Sequence, residues 1–424
     1  MTLKIALKPH LFVLSTALVL LSSGSSFAAS FDEYVQRLSD HPQVMSVLAQ
    51  SEATRAQAQG ELGLPDPTFS IGVDNVPISN PAFDRFLPTS KIIGFNQKIP
   101  NPALLRAKSD KLEQLSEKQE LMADYTAARL RFMLVTKLAE YEAVKTQTGL
   151  IKKQLSFFHE LEDTFKGQIE SGRAVYQRFS EVDVERAEAE RKLNNLDAKI
   201  TSIEAEFVRL IDEVPEVEIP KIIEARWDKG SNTIYPVLIA AEDIDIAKKG
   251  VGIADAAFLP NFGVNAIYKQ REDGQNGSFA GDDWFSIQAQ ITVPLWASSN
   301  QKPKLEAAKN RERSAMFAYD NTRRQWVQKM TALQSARNAA SKNIKVLQDK
   351  DHAMKGKIKA AQRNYEAGTS ELDGVLLAKI DRLNIQAQLA QVRAIHISRS
   401  AEFNSNIISD LTAEIPAVSK ETQE

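Results

Sequence analysis

Hydrophobic and polar positions along this chain follow two rhythms. From 284 to 293 they alternate singly, Phe285, Ile287, Ala289, Ile291 and Val293 on one side and Ser286, Gln288, Gln290 and Thr292 on the other. That is the period of a strand with one apolar face. Phe262, Val264, Ala266 and Tyr268 alternate in the same way with Gly263, Asn265 and Lys269, with Ile267 as the exception. A weaker pair lies earlier: Phe69, Ile71 and Val73 against Thr68, Ser70 and Gly72, then Ile93 and Phe95 against Gly94, Asn96 and Lys98. The second rhythm is the 4-3 spacing of a coiled-coil seam. Ala189, Leu193, Leu196, Ile200, Ile203, Phe207 and Leu210 carry it, and so do Leu376, Ile380, Leu383, Ala387, Ala390, Ala394 and Ile397. Each seam follows a long stretch free of Pro and nearly free of Gly, from Ala103 to about Phe165 and from Lys304 to about Lys359.

These elements recur in the same order. Pro42 and Pro236 lie 194 residues apart, Pro65 and Pro260 195, Pro100 and Pro294 194, and Gly172 and Gly368 196. A period near 195 is far longer than that of a solenoid and indicates a single duplication. The organisation expected is a signal peptide over 1–28 and a first repeat over 29–220, with strands at about 67–74 and 91–99 and a helical hairpin at about 103–213. A second repeat over 221–424 has strands at about 261–270 and 284–294, a hairpin at about 303–400 and a C-terminal tail.

The N-terminus supports the first boundary. Lys4 and Lys8 precede an apolar run from Leu11 to Leu21, and Ser26-Phe27-Ala28 forms a small-x-small cleavage site. The run is too short for the roughly 20 residues of a spanning helix. A mature chain in the membrane would therefore cross as strands, since only helices and closed barrels satisfy every backbone group in lipid. Trp284 and Trp296 bracket one strand, and at about 3.3 Å per residue and a tilt near 45° they would stand roughly 28 Å apart along the membrane normal. That is the spacing of two aromatic girdles. Alternation alone favours a soluble hairpin packed on a core; duplication, secretory signal and tryptophan spacing shift the balance to membrane strands. Four strands cannot close a barrel. Two copies would give eight, with a filled interior, and three would give twelve, with room for a conduit. The fold class expected is mainly α with a membrane β part: four long helices in two antiparallel coiled-coil hairpins and four transmembrane strands per protomer.

Composition narrows the chemistry. A formal net charge of -2 gives no electrostatic reason to expect nucleic acid, and the absence of Cys removes disulfides and thiolate chemistry. His41, His159, His352 and His396 are scattered, and no phosphate loop or nucleophile elbow is present. No catalytic, cofactor or metal site is expected, and the chain reads as a non-enzyme. Asp273, Asp282 and Asp283 could meet calcium, but their spacing misses the EF-hand and fits a solvated loop.

At the duplicated landmarks, the Leu-Pro strand openings at Leu64 and Leu259, the closings at Pro100 and Pro294, and the turns Ser171-Gly172-Arg173-Ala174 and Ala367-Gly368-Thr369-Ser370, the chain resembles the TolC family of outer-membrane efflux channels. The resemblance covers nearly everything after the signal peptide. It implies a homotrimer with a twelve-stranded barrel in outer-membrane lipid, continuing as an α-barrel into the periplasm of a Gram-negative bacterium. A mixed domain at its waist would come from Val214 to Thr233 and the region after about Ser398. The implied partners are a periplasmic adaptor and an inner-membrane pump. The segment from Gly63 to Gln97 is similar to members that serve heavy-metal efflux. The alternative from another class is a periplasmic coiled-coil adaptor or structural protein.

Within this resemblance, Ser286, Gln288, Gln290 and Thr292 are expected to line the pore, and Gly172, Arg173, Gly368 and Thr369 to form an adaptor-docking tip. Relatives often narrow near the tip on acidic side chains. Here Asp349, Asp351, Lys355, Lys357 and Lys359 are the candidate gate charges, the lysines being expected to turn outward or pair with Glu160, Glu162 or Asp163. A plain solvated helix face is the other reading of these charges.

Overall fold

The computed structural model describes residues 30–408, so the segment expected to be a signal peptide (1–28) and the end of the chain after 408 lie outside the described residues. Proline sets where several helices begin, because it lacks the amide that the first turn cannot use. His41-Pro42 starts α2 (Pro42–Gly60) after α1 (Phe31–Ser39), Asn101-Pro102 starts α3 (Pro102–Glu170), and Tyr235-Pro236 lies at the start of α5 (Tyr235–Ala256). Asn101 caps α3 by accepting from the Leu104 amide at 2.7 Å. Between these come β1 (Thr68–Asp74), β2 (Ser90–Ile99) and α4 (Tyr176–Ile211). After α5 follow β3 (Asn261–Gln270), β4 (Trp284–Thr292), α6 (Gln301–Glu366) and α7 (Leu372–Ser405).

The four long helices expected resolve into two of 69 and 66 residues and two of about half that length. The seams of α4 and α7 cover only the half of α3 and α6 nearest the turns. The halves nearest the strands are covered by α2 and α5. Two rows of helices result. Near the turns the order is α4, α3, α7, α6; near the sheet it is α2, α3, α5, α6.

Apolar packing is densest inside these rows. Leu130, Leu134 and Leu138 of α3 meet Ile203, Phe207 and Leu210 of α4, with Tyr34 and Leu38 of α1 closing the cluster. Phe158, Leu161 and Phe165 of α3 meet Val182 and Ala189 of α4 and Leu376 and Ile380 of α7. A third cluster joins Met330 of α6 to Phe403 of α7 through Ile234 and Val237. The connection from 212 to 234 holds no helix, and its end is tied to the end of α7: Ile234 bridges Ile407, and Ile408 donates to the Thr233 carbonyl at 2.7 Å.

The strands form one antiparallel sheet in the order β1-β2-β3-β4. The two hairpins of the two repeats are therefore joined through β2 and β3.

Candidate conduit surfaces

The pairing register sorts the side chains. Phe69 faces Phe95, Phe95 faces Ala266, and Ala266 faces Ile287; Ile71, Ile93, Tyr268 and Phe285 form the next row. Since side chains on directly opposed residues share a face, all four strands gather most of their apolar positions on one side. That side is bare in the protomer, with Ile71 88%, Phe285 69% and Ile287 68% exposed. Ser286, Gln288, Gln290 and Thr292 share the other side with Ser70, Asn96 and Asn265, and the Asn265 amide reaches Gln288 Oε1 at 3.5 Å.

Two details depart from expectation. Trp284 shares the parity of Ser286 and sits on the polar side, where the Arg271 guanidinium stacks 4.1 Å from its ring centroid. This takes it off the apolar side expected for an aromatic girdle; the aromatic pair on that side at this end of the sheet is Tyr268 and Phe285. Ile92, like Ile267, is an apolar residue on the polar side, opposite Gly72, whose missing side chain leaves it room. Single-strand alternation misses such pairs because the compensating residue is on the neighbouring strand.

The acidic residues of the outer loop do not converge. Asp273 accepts from the Gly281 amide at 2.7 Å, and Asp283 from the Arg271 amide at 3.0 Å and from the Tyr268 hydroxyl. They staple the loop to itself. No metal-holding group of three His, Cys, Asp or Glu occurs among the described residues. The two outer loops are also tied together, by Gln275 to Asp84 and Lys91 to Glu272, each at 2.8 Å.

At the opposite end, both long helices stop in the same way. Gly172 at φ 85° and Gly368 at φ 72° provide the left-handed residue. The amides of Arg173 and Thr369 then reach back to the carbonyls of Gln168 and Asn364 at 3.0 and 2.9 Å. The two turns are joined: Arg173 and Arg178 hold Glu371 at 2.8 and 3.3 Å, and Arg178 also pairs with the buried Asp373.

Three of the five candidate gate charges, Asp351, Lys355 and Lys357, are partnered within their own hairpin. Asp351 accepts from Arg382 at 2.8 Å and Gln386 at 3.2 Å and lies 3.5 Å from Lys355, while Lys357 pairs with Asp381 at 3.3 Å. As to the two expected arrangements, Lys355, Lys357 and Lys359 are exposed and make no pair with Glu160, Glu162 or Asp163 within the described protomer, where α7 lies between α6 and α3 and Glu162 is bound by Arg186 at 2.5 Å. Burial pushes the Asp351 carboxyl up, but the hydrogen bond and charge of Arg382, with Lys355 behind it, outweigh this and hold it below its ordinary value. Asp349 and Lys359 make no ion pair within the described protomer.

The contact between hairpins, α3 against α7, differs from that within each hairpin. Its centre is polar or small: Gln154 donates to Asn384 at 2.6 Å, Gln147 to the Ala387 carbonyl at 3.2 Å, and Ala139 and Ala143 pack on Ala394.

Residues 237–401 match the family described as outer membrane efflux protein. No curated protein matches the chain significantly. Among solved structures, the chain is similar to the outer membrane protein VceC of Vibrio cholerae, at 16% identity over 89% of this chain and 96% of that one, TM-score 0.70. It is similar to the MtrE outer membrane channel of Neisseria gonorrhoeae, at 16% over 91% and 93%, TM-score 0.71. The CmeC outer membrane channel of Campylobacter jejuni gives 13% over 97% and 96%, TM-score 0.70. At these identities the likeness is one of fold.

Proposed function

From the match of residues 237–401 to the outer membrane efflux protein family and the fold shared with outer membrane channels, we propose that this chain is an outer-membrane efflux channel in which three copies close into one passive conduit fed by an inner-membrane pump through a periplasmic adaptor. The observation that carries this reading is the sheet. Its outer strands β1 and β4 are both unpaired edges, and its apolar face is bare. A cyclic assembly that pairs β4 of one copy with β1 of the next removes every edge and leaves the apolar face to lipid. Three copies give twelve strands around a space too wide for side chains to fill. The same face counts against the periplasmic adaptor alternative, which would have to bury it.

The conduit carries no energy source, so transport is driven from the inner membrane. The joined turns at Gly172-Arg173 and Gly368-Thr369 are the surface proposed for the adaptor. Heavy-metal cations are the cargo proposed from the Gly63 to Gln97 segment. Deleting the gene should lower tolerance to metal salts more than to organic toxins, and the reverse order would remove the metal reading.

The test of the conduit uses the absence of native cysteine. Applying the repeat offsets to the β2–β3 pair Asn96 and Asn265 places Gln290 of one copy opposite Ser70 of the next. Directly opposed residues lie about 4.5 to 5.5 Å apart at Cα, within reach of a disulfide. Ser70→Cys with Gln290→Cys should give a covalent trimer in oxidised outer membranes. A protein that remains monomeric under oxidation would overturn the ring.

A further inference from the structure

In the helix row nearest the turns, α4 and α6 are the two ends, and within the protomer each lacks a neighbour on one side. Any cyclic closure must bring α4 of one copy against α6 of the next. The duplication supplies a template for that contact. Inside the protomer, the long helix of the first repeat (α3) lies against the short helix of the second (α7). Between copies, the long helix of the second repeat (α6) would lie against the short helix of the first (α4).

The offset of 196 at the turns carries the template over residue by residue, since each helix runs unbroken from its turn. Ile380, 7% exposed, corresponds to Val184, which is 68% exposed. A buried site in the second repeat is thus an open one in the first. The small pair Ala143 and Ala394 corresponds to Ala339 and Ala198, both exposed. The hydrogen-bonded pair Gln154 and Asn384 corresponds to Lys350 and Glu188, which are opposite in charge. Lys350 makes no ion pair within the described protomer. Glu188 is held only by Arg191 and Lys192 of its own helix.

We propose that Glu188 and Val184 of α4 form, with Lys350 and Ala339 of α6 in a second copy, a charged seam between protomers that replaces the neutral Gln154–Asn384 seam inside each one. The occupant of both faces is another copy of this chain. At the level of Gln154 and Asn384 the contacts around the helical ring then alternate, a neutral hydrogen bond within a protomer and an ion pair between protomers, and of these two the ion pair is the one screened by salt. This rests on the ring proposed above.

The test combines two cysteine pairs in the full-length protein in outer membranes. With a short thiol cross-linker, Glu188→Cys and Lys350→Cys should join copies about tenfold faster than Glu188→Cys and Ala360→Cys, which lies about 15 Å farther along the helix. Equal rates, or none for the first pair while Ser70→Cys and Gln290→Cys still form trimer, would refute the seam and leave the ring standing. Failure of both pairs would refute the ring. The charge is read separately, with Ala198→Cys and Ala339→Cys as reporter. Lys350→Glu should slow their joining several-fold and added Glu188→Lys should restore it; no slowing, or no restoration, would overturn the ion pair.

Discussion

Arginine placed at Ile287 and at Gln288 should have opposite consequences although the two residues are adjacent. Strand β4 has nine residues, which at about 3.3 Å each and a tilt near 45° cover roughly 21 Å of the membrane normal, inside the apolar band of about 25 Å. Gln288 is the central residue, so Ile287 lies within about 2 Å of the midplane. Arginine at that depth on the lipid face costs about 2 to 4 kcal/mol per copy. At Gln288 the same guanidinium points to the side shared with Ser70, Asn96 and Asn265 and should cost close to nothing. With about 1.4 kcal/mol per tenfold, Ile287→Arg should lower the assembled fraction at least about 25-fold. The assay is the yield of heat-resistant oligomer in purified outer membranes, with Gln288→Arg in parallel. Equal yields, or a larger loss at Gln288, would refute the assignment of faces.

Three further outcomes are expected. Asp351→Asn should destabilise the detergent-solubilised protein by about 1 to 2 kcal/mol at neutral pH. Because the native carboxyl lies below its ordinary value, its contribution is present above the unfolded value of about 4 and is lost as pH falls through the native one, so variant and parent should converge in thermal melts under acid. Gly172→Ala and Gly368→Ala should each cost about 1 to 2 kcal/mol, as both glycines are left-handed, and faster proteolysis at the turns would report it. Burial, with the hydrogen bond to Glu204, pushes Tyr141 up to about 12. Its contribution should be complete below about pH 10 and disappear as pH rises toward 12, and Tyr141→Phe should abolish that part of the alkaline loss in a melting series.

The duplication was legible because its landmarks are prolines and glycines whose backbone roles survive any packing: Pro42 and Pro236 at helix starts, Gly172 and Gly368 at helix ends. Strand faces were legible from period two, and the register across four strands gathers them on common sides. What escaped the sequence depends on neighbours distant in the chain. Trp284 looked like a membrane anchor until its parity was set beside Arg271. The lysines before the second turn could turn outward or reach the first hairpin, and the sequence does not reveal that α7 stands between α6 and α3 and offers Asp381 to Lys357. Likewise the 4-3 spacing marks where α4 and α7 pack, yet it does not reveal that α2 and α5 cover the remaining length of the long helices.

That unbroken length makes α3 a lever. With 69 residues at about 1.5 Å each it is roughly 100 Å long, gripped by α2 and α5 over one half and by α4 and α7 over the other. If the first half serves as the fulcrum, a pivot of only about 5° would carry the free end sideways by roughly 4 Å over the remaining 50 Å or so. Little work near the sheet would be needed to widen the far end substantially, and stiffness along the shaft would set the mechanical advantage.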